Sequence, residues 1–276
     1  MQIQIIRKAE DFVRFKVEGT TSAFINTLRR VILSEVPAMA IDEVVIIENS
    51  SVLHDEILAL RLGLIPLTTD LDSYNLPQEC ACKSELGCNL CRVVLTLDVE
   101  AKEDPKTVYS DDLVSENPQV SPVSSKVTIV KLAPGQKVRL EAYARLGKGK
   151  VHAKWQPVSV CTYRYMPIIN IDKDRCDACG KCIDICPRGI LTKKGNEIEM
   201  QNLVECTLCK DCVEACETDP PPIQVSWDEE SFIFDIESNG VLPIERIISE
   251  ALDIINKKYA DLLESFPVET NEQESN

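Results

Sequence analysis

Two stretches, CDACGKCIDICPRG at residues 176–189 and CTLCKDCVEAC at 206–216, each hold four cysteines in the form C-x2-C-x2-C-x3-C. No other feature restricts the fold so much, because these thiols must be gathered onto something they share. The chain has thirteen cysteines in all, a number that in a small secreted domain suggests disulfides. Its amino terminus, MQIQIIRKAEDF, lacks the basic start and apolar run of a signal peptide. No window approaches the roughly 18 uncharged apolar residues of a membrane span. A cytoplasmic location without membrane association is therefore expected, and in a reducing compartment grouped cysteines serve as metal ligands.

The spacing is that of bacterial-type ferredoxins. In that pattern three cysteines of a run grip one cubane and the fourth, opening a helical turn, ligates the other. Two 4Fe–4S clusters are expected with crossed ligand sets: Cys176, Cys179, Cys182 and Cys216 for the first, Cys206, Cys209, Cys212 and Cys186 for the second. Pro187 follows the fourth cysteine of the first run as the pattern asks; Glu217 stands at that place in the second. The alternative is a pair of four-cysteine zinc sites, which seldom place six cysteines in two such triplets. A third group, Cys80, Cys82, Cys88 and Cys91 in CACKSELGCNLC, reads C-x-C-x5-C-x2-C. It can close a tetrahedral thiolate site, with zinc preferred over another metal or free thiols. Cys161 stands alone and is expected to be a small buried hydrophobe.

The rest of the chain offers little for catalysis. GKGK at 147–150 lacks the form of a phosphate-binding loop, and no flavin, nicotinamide or molybdenum motif is evident. His54 and His152 are the imidazoles available, and each is expected to be structural. A formal charge of −15 repels phosphates, so contact with nucleic acid is expected only through partners. Residues 2–7 and 12–18 alternate as a hairpin, with Val13, Phe15 and Val17 on one face. A helix is predicted from Thr21 or Ser22 to a stop at Pro37. It carries Phe24, Leu28 and Val31 on one stripe, Ile25 and Ile32 beside it, and Arg29 and Arg30 off it. SWDEESFIFDIESNG at 226–240 reads as a strand with Phe232, Phe234 and Ile236 alternating. PIERIISEALDIINKKYADLLESF then places Ile248, Leu252, Ile255, Tyr259, Leu262 and Phe266 on a heptad seam. At 1.5 Å per residue it spans about 36 Å, and such a seam either meets a partner helix or covers the protein's own sheet.

FINTLRRVILSEVPAMAIDEV at 24–44, HDEILALRLGLIPLTTD at 54–70 and KVHAKWQPVSVCTYRY at 150–165 resemble the alpha-like large assembly subunit of multisubunit RNA polymerases. With two ferredoxin runs added, the resemblance is to the archaeal D-type members of that family over nearly the whole chain. Many members lack one or both clusters, whereas this sequence has all eight cysteines. The resemblance implies an α+β fold with a discontinuous dimerisation domain from residues 1–40 and 224–276. A mainly-β insertion at 41–165 carries the zinc loop, whose middle spacer is longer than in the eukaryotic homologue, and a ferredoxin-like domain occupies 166–223. It also implies a heterodimer with the small alpha-like subunit L through the α-helical stripes above. On that pair the large B-type subunit assembles, with the small subunits N and P alongside, and the catalytic aspartates lie in another chain. The polar tail PVETNEQESN is expected to be disordered. The competing expectation, from the cysteine runs alone, is a ferredoxin-like electron-transfer subunit of an oxidoreductase.

Overall fold

Alternating apolar residues at the amino terminus produce β1 (Gln2–Lys8) and β2 (Phe12–Glu18), antiparallel with Gln2 opposite Glu18 and Lys8 opposite Val13. Val13, Phe15 and Val17 are buried as the alternation predicts. The period then changes to that of a helix, α1 (Ser22–Ser34), whose first turn is capped by Thr21 Oγ1 accepting from the Phe24 N–H at 3.3 Å. The structure, a computed structural model, describes residues 1–84 and 87–266. The tail expected to be disordered lies outside them.

From α1 the chain runs through β3 (Pro37–Asn49), α2 (Asp55–Gly63), β4 (Val93–Glu100), β5 (Lys106–Tyr109), β6 (Val114–Ser115), β7 (Thr128–Leu132) and β8 (Lys137–Lys148). There follow β9 (Val158–Ile171), α3 (Lys181–Ile185), β10 (Leu191–Lys194), β11 (Glu197–Met200), α4 (Asp211–Glu214), β12 (Ile223–Ser238) and α5 (Ile244–Ser265). This is a mixed architecture of helices and several antiparallel sheets. Contacts divide it into two units.

One unit comprises Met1–Lys8, Val13–Asn26 and Thr162–Asp235. Its sheet has the order β1-β2-β12-β9, so the hairpin lies beside a strand that arrives some 200 residues later. Phe15 stacks on Phe234 with ring centroids 5.3 Å apart, and Tyr165 tilts onto Phe232 at 5.0 Å. Phe232, Phe234 and Ile236 are buried as expected, and so is Ile233, which the alternation left outward. Both faces of β12 are covered there. The β10–β11 ribbon and the short helices α3 and α4 surround a small core of Ile169, Ile190, Leu191, Ile198 and Ile223.

The other unit comprises Ala9–Phe12, Thr27–Cys161 and the described residues from Ile236 onward. The long β3–β8 pair runs from Pro37 opposite Lys148 to Asn49 opposite Val138 within the sheet β3-β8-β4-β6, and β5 pairs with β7. Leu58 and Leu62 of α2 enter the core of this sheet. Gly147 is required on β8, since a Cβ there would stand 2.3 Å from the Trp155 ring. His152 Nδ1 accepts from the Lys154 N–H at 3.0 Å.

α5 differs from the single seam expected of it. It buries Ile244, Ile247, Ala251 and Ile255, a stripe that shares only Ile255 with the heptad positions. Of the others Ile248 is half-buried, whereas Leu252, Tyr259, Leu262 and Phe266 are exposed. In α1, similarly, Ile25, Leu28, Val31 and Ile32 are buried and Phe24 is half-buried. Among the described residues no helix is long and apolar enough to cross a membrane.

Candidate functional site

Cys80, Cys82, Cys88 and Cys91 converge until all four sulfurs lie within 4.8 Å of one another. The contacts are Cys80–Cys88 at 3.7 Å, Cys82–Cys91 at 3.8 Å and Cys88–Cys91 at 3.8 Å. Four sulfurs about 2.3 Å from a central zinc, at tetrahedral angles, would stand about 3.8 Å apart. The donor set fits one metal ion. Local backbone builds it: the Cys91 and Arg92 N–H groups both donate to the Cys88 carbonyl at 2.9 Å, and the Cys88 N–H donates to Cys91 Sγ at 3.1 Å. Gly87 has φ +75°, and a Cβ on it would lie 3.3 Å from Cys91 Sγ. The thiols differ in acidity. Burial pushes Cys91 up to about 12, whereas the Ser84 backbone N–H and neighbouring thiols bring Cys82 down to about 7. A cation is what would bring all four to thiolate together.

The two ferredoxin-like runs are folded so that their members interleave. Cys176, Cys179, Cys182 and Cys216 line one cavity; Cys186, Cys206, Cys209 and Cys212 line another. Each loop repeats the same backbone device. Ala178 and Gly180 in the first, and Leu208 and Lys210 in the second, have φ of 52°, 94°, 59° and 68°. Left-handed conformations at matching positions curl both loops around their cysteines, at a cost for the three non-glycine residues. The Leu208 N–H donates to Cys206 Sγ at 3.4 Å. Lys193 Nζ fastens the first loop through the Ala178 carbonyl at 2.6 Å. Burial pushes Cys212 up to about 11 and raises Cys182 and Cys206, and neighbouring thiolates add to the rise in each. Four soft donors around each cavity suit a thiophilic centre. Among the described residues the Cys80 group is the one whose sulfurs gather within 4.8 Å of one another. Glu217, in the place where proline was expected, forms an ion pair with Lys181. Cys161 is buried as expected and its thiol is pushed up to about 12 by that burial.

A groove runs between α1 and α5, lined by Arg30, Val31 and Glu35 on one side and Ile255, Tyr259 and Leu262 on the other. Glu35 Oε1 meets Lys258 Nζ at 3.0 Å, with Lys148 Nζ at 3.6 Å from its other oxygen. Burial works to raise the Glu35 carboxyl, but Lys258, Lys148 and Lys150 hold it below the usual carboxylate range.

One set of residues was not legible beforehand. Arg14 on β2 grips Asp235 on β12 through Nε at 2.7 Å and Nη2 at 3.1 Å, and its Nη1 reaches Glu205 at 2.5 Å. Arg164 on β9 donates to the Val204 carbonyl at 2.6 Å. These side chains come from four separate stretches of sequence and carry no spacing signal.

The profile of the RNA polymerase Rpb3/Rpb11 dimerisation domain matches residues 14–259. A DNA-directed RNA polymerase subunit Rpo3 from Methanosphaera stadtmanae is 42% identical over 276 residues, 99% of this chain and 100% of the relative. The protein of the same name from Methanosarcina acetivorans is 40% identical over 95% of this chain and 97% of its own length. That from Methanothermobacter thermautotrophicus is 41% identical over 94% and 96%.

Proposed function

This chain belongs to the RNA polymerase Rpb3/Rpb11 dimerisation-domain family, among the archaeal Rpo3 (D-type) proteins, and from that premise we propose that it is a non-catalytic assembly platform of the polymerase. It pairs in the cytoplasm with the small alpha-like subunit L through α1 and α5. The pair then recruits the large B-type subunit with the small subunits N and P, and nucleic acid is met only by the assembled complex.

The observation that carries this reading is the division of labour on α5. One apolar stripe is buried, while Leu252, Tyr259, Leu262 and Phe266 remain exposed along a helix of 22 residues beside the α1 groove. An exposed apolar stripe of this kind marks a protein interface. The interleaved cysteines support the crossed assignment of two 4Fe–4S clusters, and the Cys80 set supports zinc. When bound, these groups supply covalent cross-links between loops, and the clusters could in addition answer to redox state during assembly. The chain's own contribution is to aim the thiolates, shield them and hold the loops in register. The electron-transfer reading gains nothing from the relatives, which are polymerase subunits.

The test is co-expression of the full chain with the small alpha-like subunit, followed by addition of the large subunits. A one-to-one pair that is required for recovery of active polymerase is the expected result. Recovery of active polymerase without this chain would reject the proposal.

A further inference from the structure

Arg164 has surroundings that its role in the sheet does not account for. Nη1 stands 3.8 Å from Asp235 Oδ2, Nη2 donates to the Val204 carbonyl at 2.6 Å, and Nε is buried without a hydrogen-bond partner among the described residues. A guanidinium is planar and presents its N–H groups in a fixed fork. Nε–H and Nη2 lie on one edge of that fork. Since Nη2 is bonded to Val204, the unused N–H faces the turn that leads into Cys206. A buried N–H left without an acceptor is destabilising, so its persistence calls for one.

The same turn is held a second time. Arg14 binds Glu205, the residue before Cys206, while clamping Asp235 with its other edge. Strands β2, β9 and β12 therefore all contribute to the position of one cysteine run. At the other cavity Lys181 is a solvent-exposed side chain already paired with Glu217, and Lys193 Nζ is taken up by the Ala178 carbonyl. The two sulfur sets thus sit in unlike electrostatic environments despite their matching loops.

We infer that Arg164 is a positioning residue for the cavity of Cys186, Cys206, Cys209 and Cys212, donating Nε–H to a sulfur of the centre held there and making that centre the more firmly retained and more easily reduced of the two. This rests on the reading of two 4Fe–4S clusters. A cluster held by four thiolates is anionic and gains negative charge on reduction, so a fixed cation and a donated hydrogen bond favour the reduced form. Asp235, itself clamped by Arg14, lies beside the guanidinium and restrains it.

The experiment compares the anaerobically purified full chain with Arg164→Gln and Arg164→Lys. Iron and sulfide content, reductive titration followed by electron paramagnetic resonance, and iron release to a chelator are measured, with zinc content as the check on folding. The unaltered chain should hold about eight iron atoms and titrate in two waves, as two cubanes require. In Arg164→Gln one wave should move to more negative potential by about tenfold in the equilibrium constant, which for one electron is about 59 mV. Iron should leave half of the complement about tenfold faster, as loss of a charged hydrogen bond predicts. Arg164→Lys keeps the charge and lacks Nε–H; it should restore part of the potential and leave release fast. Two unmoved waves, or two waves moved equally, would overturn the inference. Should Arg164→Gln lose its zinc, Arg164→Lys decides alone, and unaltered release from it would be the overturning result. An unaltered chain with about four iron atoms or fewer removes the two-cluster reading itself, and the inference with it.

Discussion

At the scale of single residues, the Cys80 group makes the most local claim on function. Cys88→Ser with Cys91→Ser removes two of four donors whose sulfurs stand 3.8 Å apart, and about one equivalent of zinc should disappear from metal analysis. Unchanged zinc would remove the site. Gly87→Ala is the finer test: it asks an L-residue to hold φ +75° and sets a methyl 3.3 Å from Cys91 Sγ, so zinc should be lost at lower chelator concentration. Glu35 makes a separate prediction. Its carboxyl is held below 4.5 in the folded chain, so the stability it contributes is present above that value and is lost as pH falls through the depressed one. Lys258 is 55% exposed, so the contribution is screened to less than about 1 kcal/mol. Acid unfolding of Glu35→Gln should lack this pH-dependent component and match the unaltered chain at the lowest pH; identical profiles throughout would deny the pairing. The cysteine runs were legible from sequence because metal-binding loops are built from near neighbours. Arg14 and Asp235 were not, since 221 positions separate them and only the sheet brings them together.

Elements were easier to place than to orient. Pro243 and the heptad spacing located α5 to within a residue or so at each end, and Thr21 located the start of α1. Which side of α5 turns inward was not legible, because Ile244, Ile247, Ala251 and Ile255 form a second ladder that crosses the heptad seam at one residue. An alanine in that ladder weakens its signal further. The two ladders predict opposite outcomes. Tyr259→Asp with Leu262→Asp alters residues that are 57% and 52% exposed, so circular dichroism and the melting temperature should scarcely change while co-purification with the small alpha-like subunit is lost. Ile247→Asp places a charge at a fully buried position and should unfold the chain or cost several kcal/mol. If the first pair destabilised the isolated chain as the second does, the exposed stripe would belong to internal packing. Ile255, buried at 6% exposure, belongs with Ile247 in this comparison.

For the molecule as a whole, the cysteine cavities and the β3–β8 sheet should respond differently to loss of metal. The small core beside the cavities counts Cys206 and Cys212 among its own buried residues, together with Ile169, Ile190, Leu191, Ile198 and Ile223. So few apolar side chains cannot order a segment of this length without cross-links, much as small metal-dependent domains unfold when stripped. Removal of iron should therefore raise amide exchange across residues 172–222 and leave β3 and β8 protected. Heterodimer formation should survive, and recruitment of the large subunits should fall. Uniform deprotection would show that the cavities support the entire chain. The order of the first sheet has a different consequence, one of time. β2 ends at Glu18 and its neighbour β12 begins at Ile223, so at ordinary rates of synthesis of about 5–20 residues per second the hairpin waits about 10–40 s for the strand beside it. For most of that interval Phe15 lacks Phe234, the ring on which it stacks in the finished sheet. The growing chain thus depends on whatever shelters its first few residues until nearly the last of them has been made.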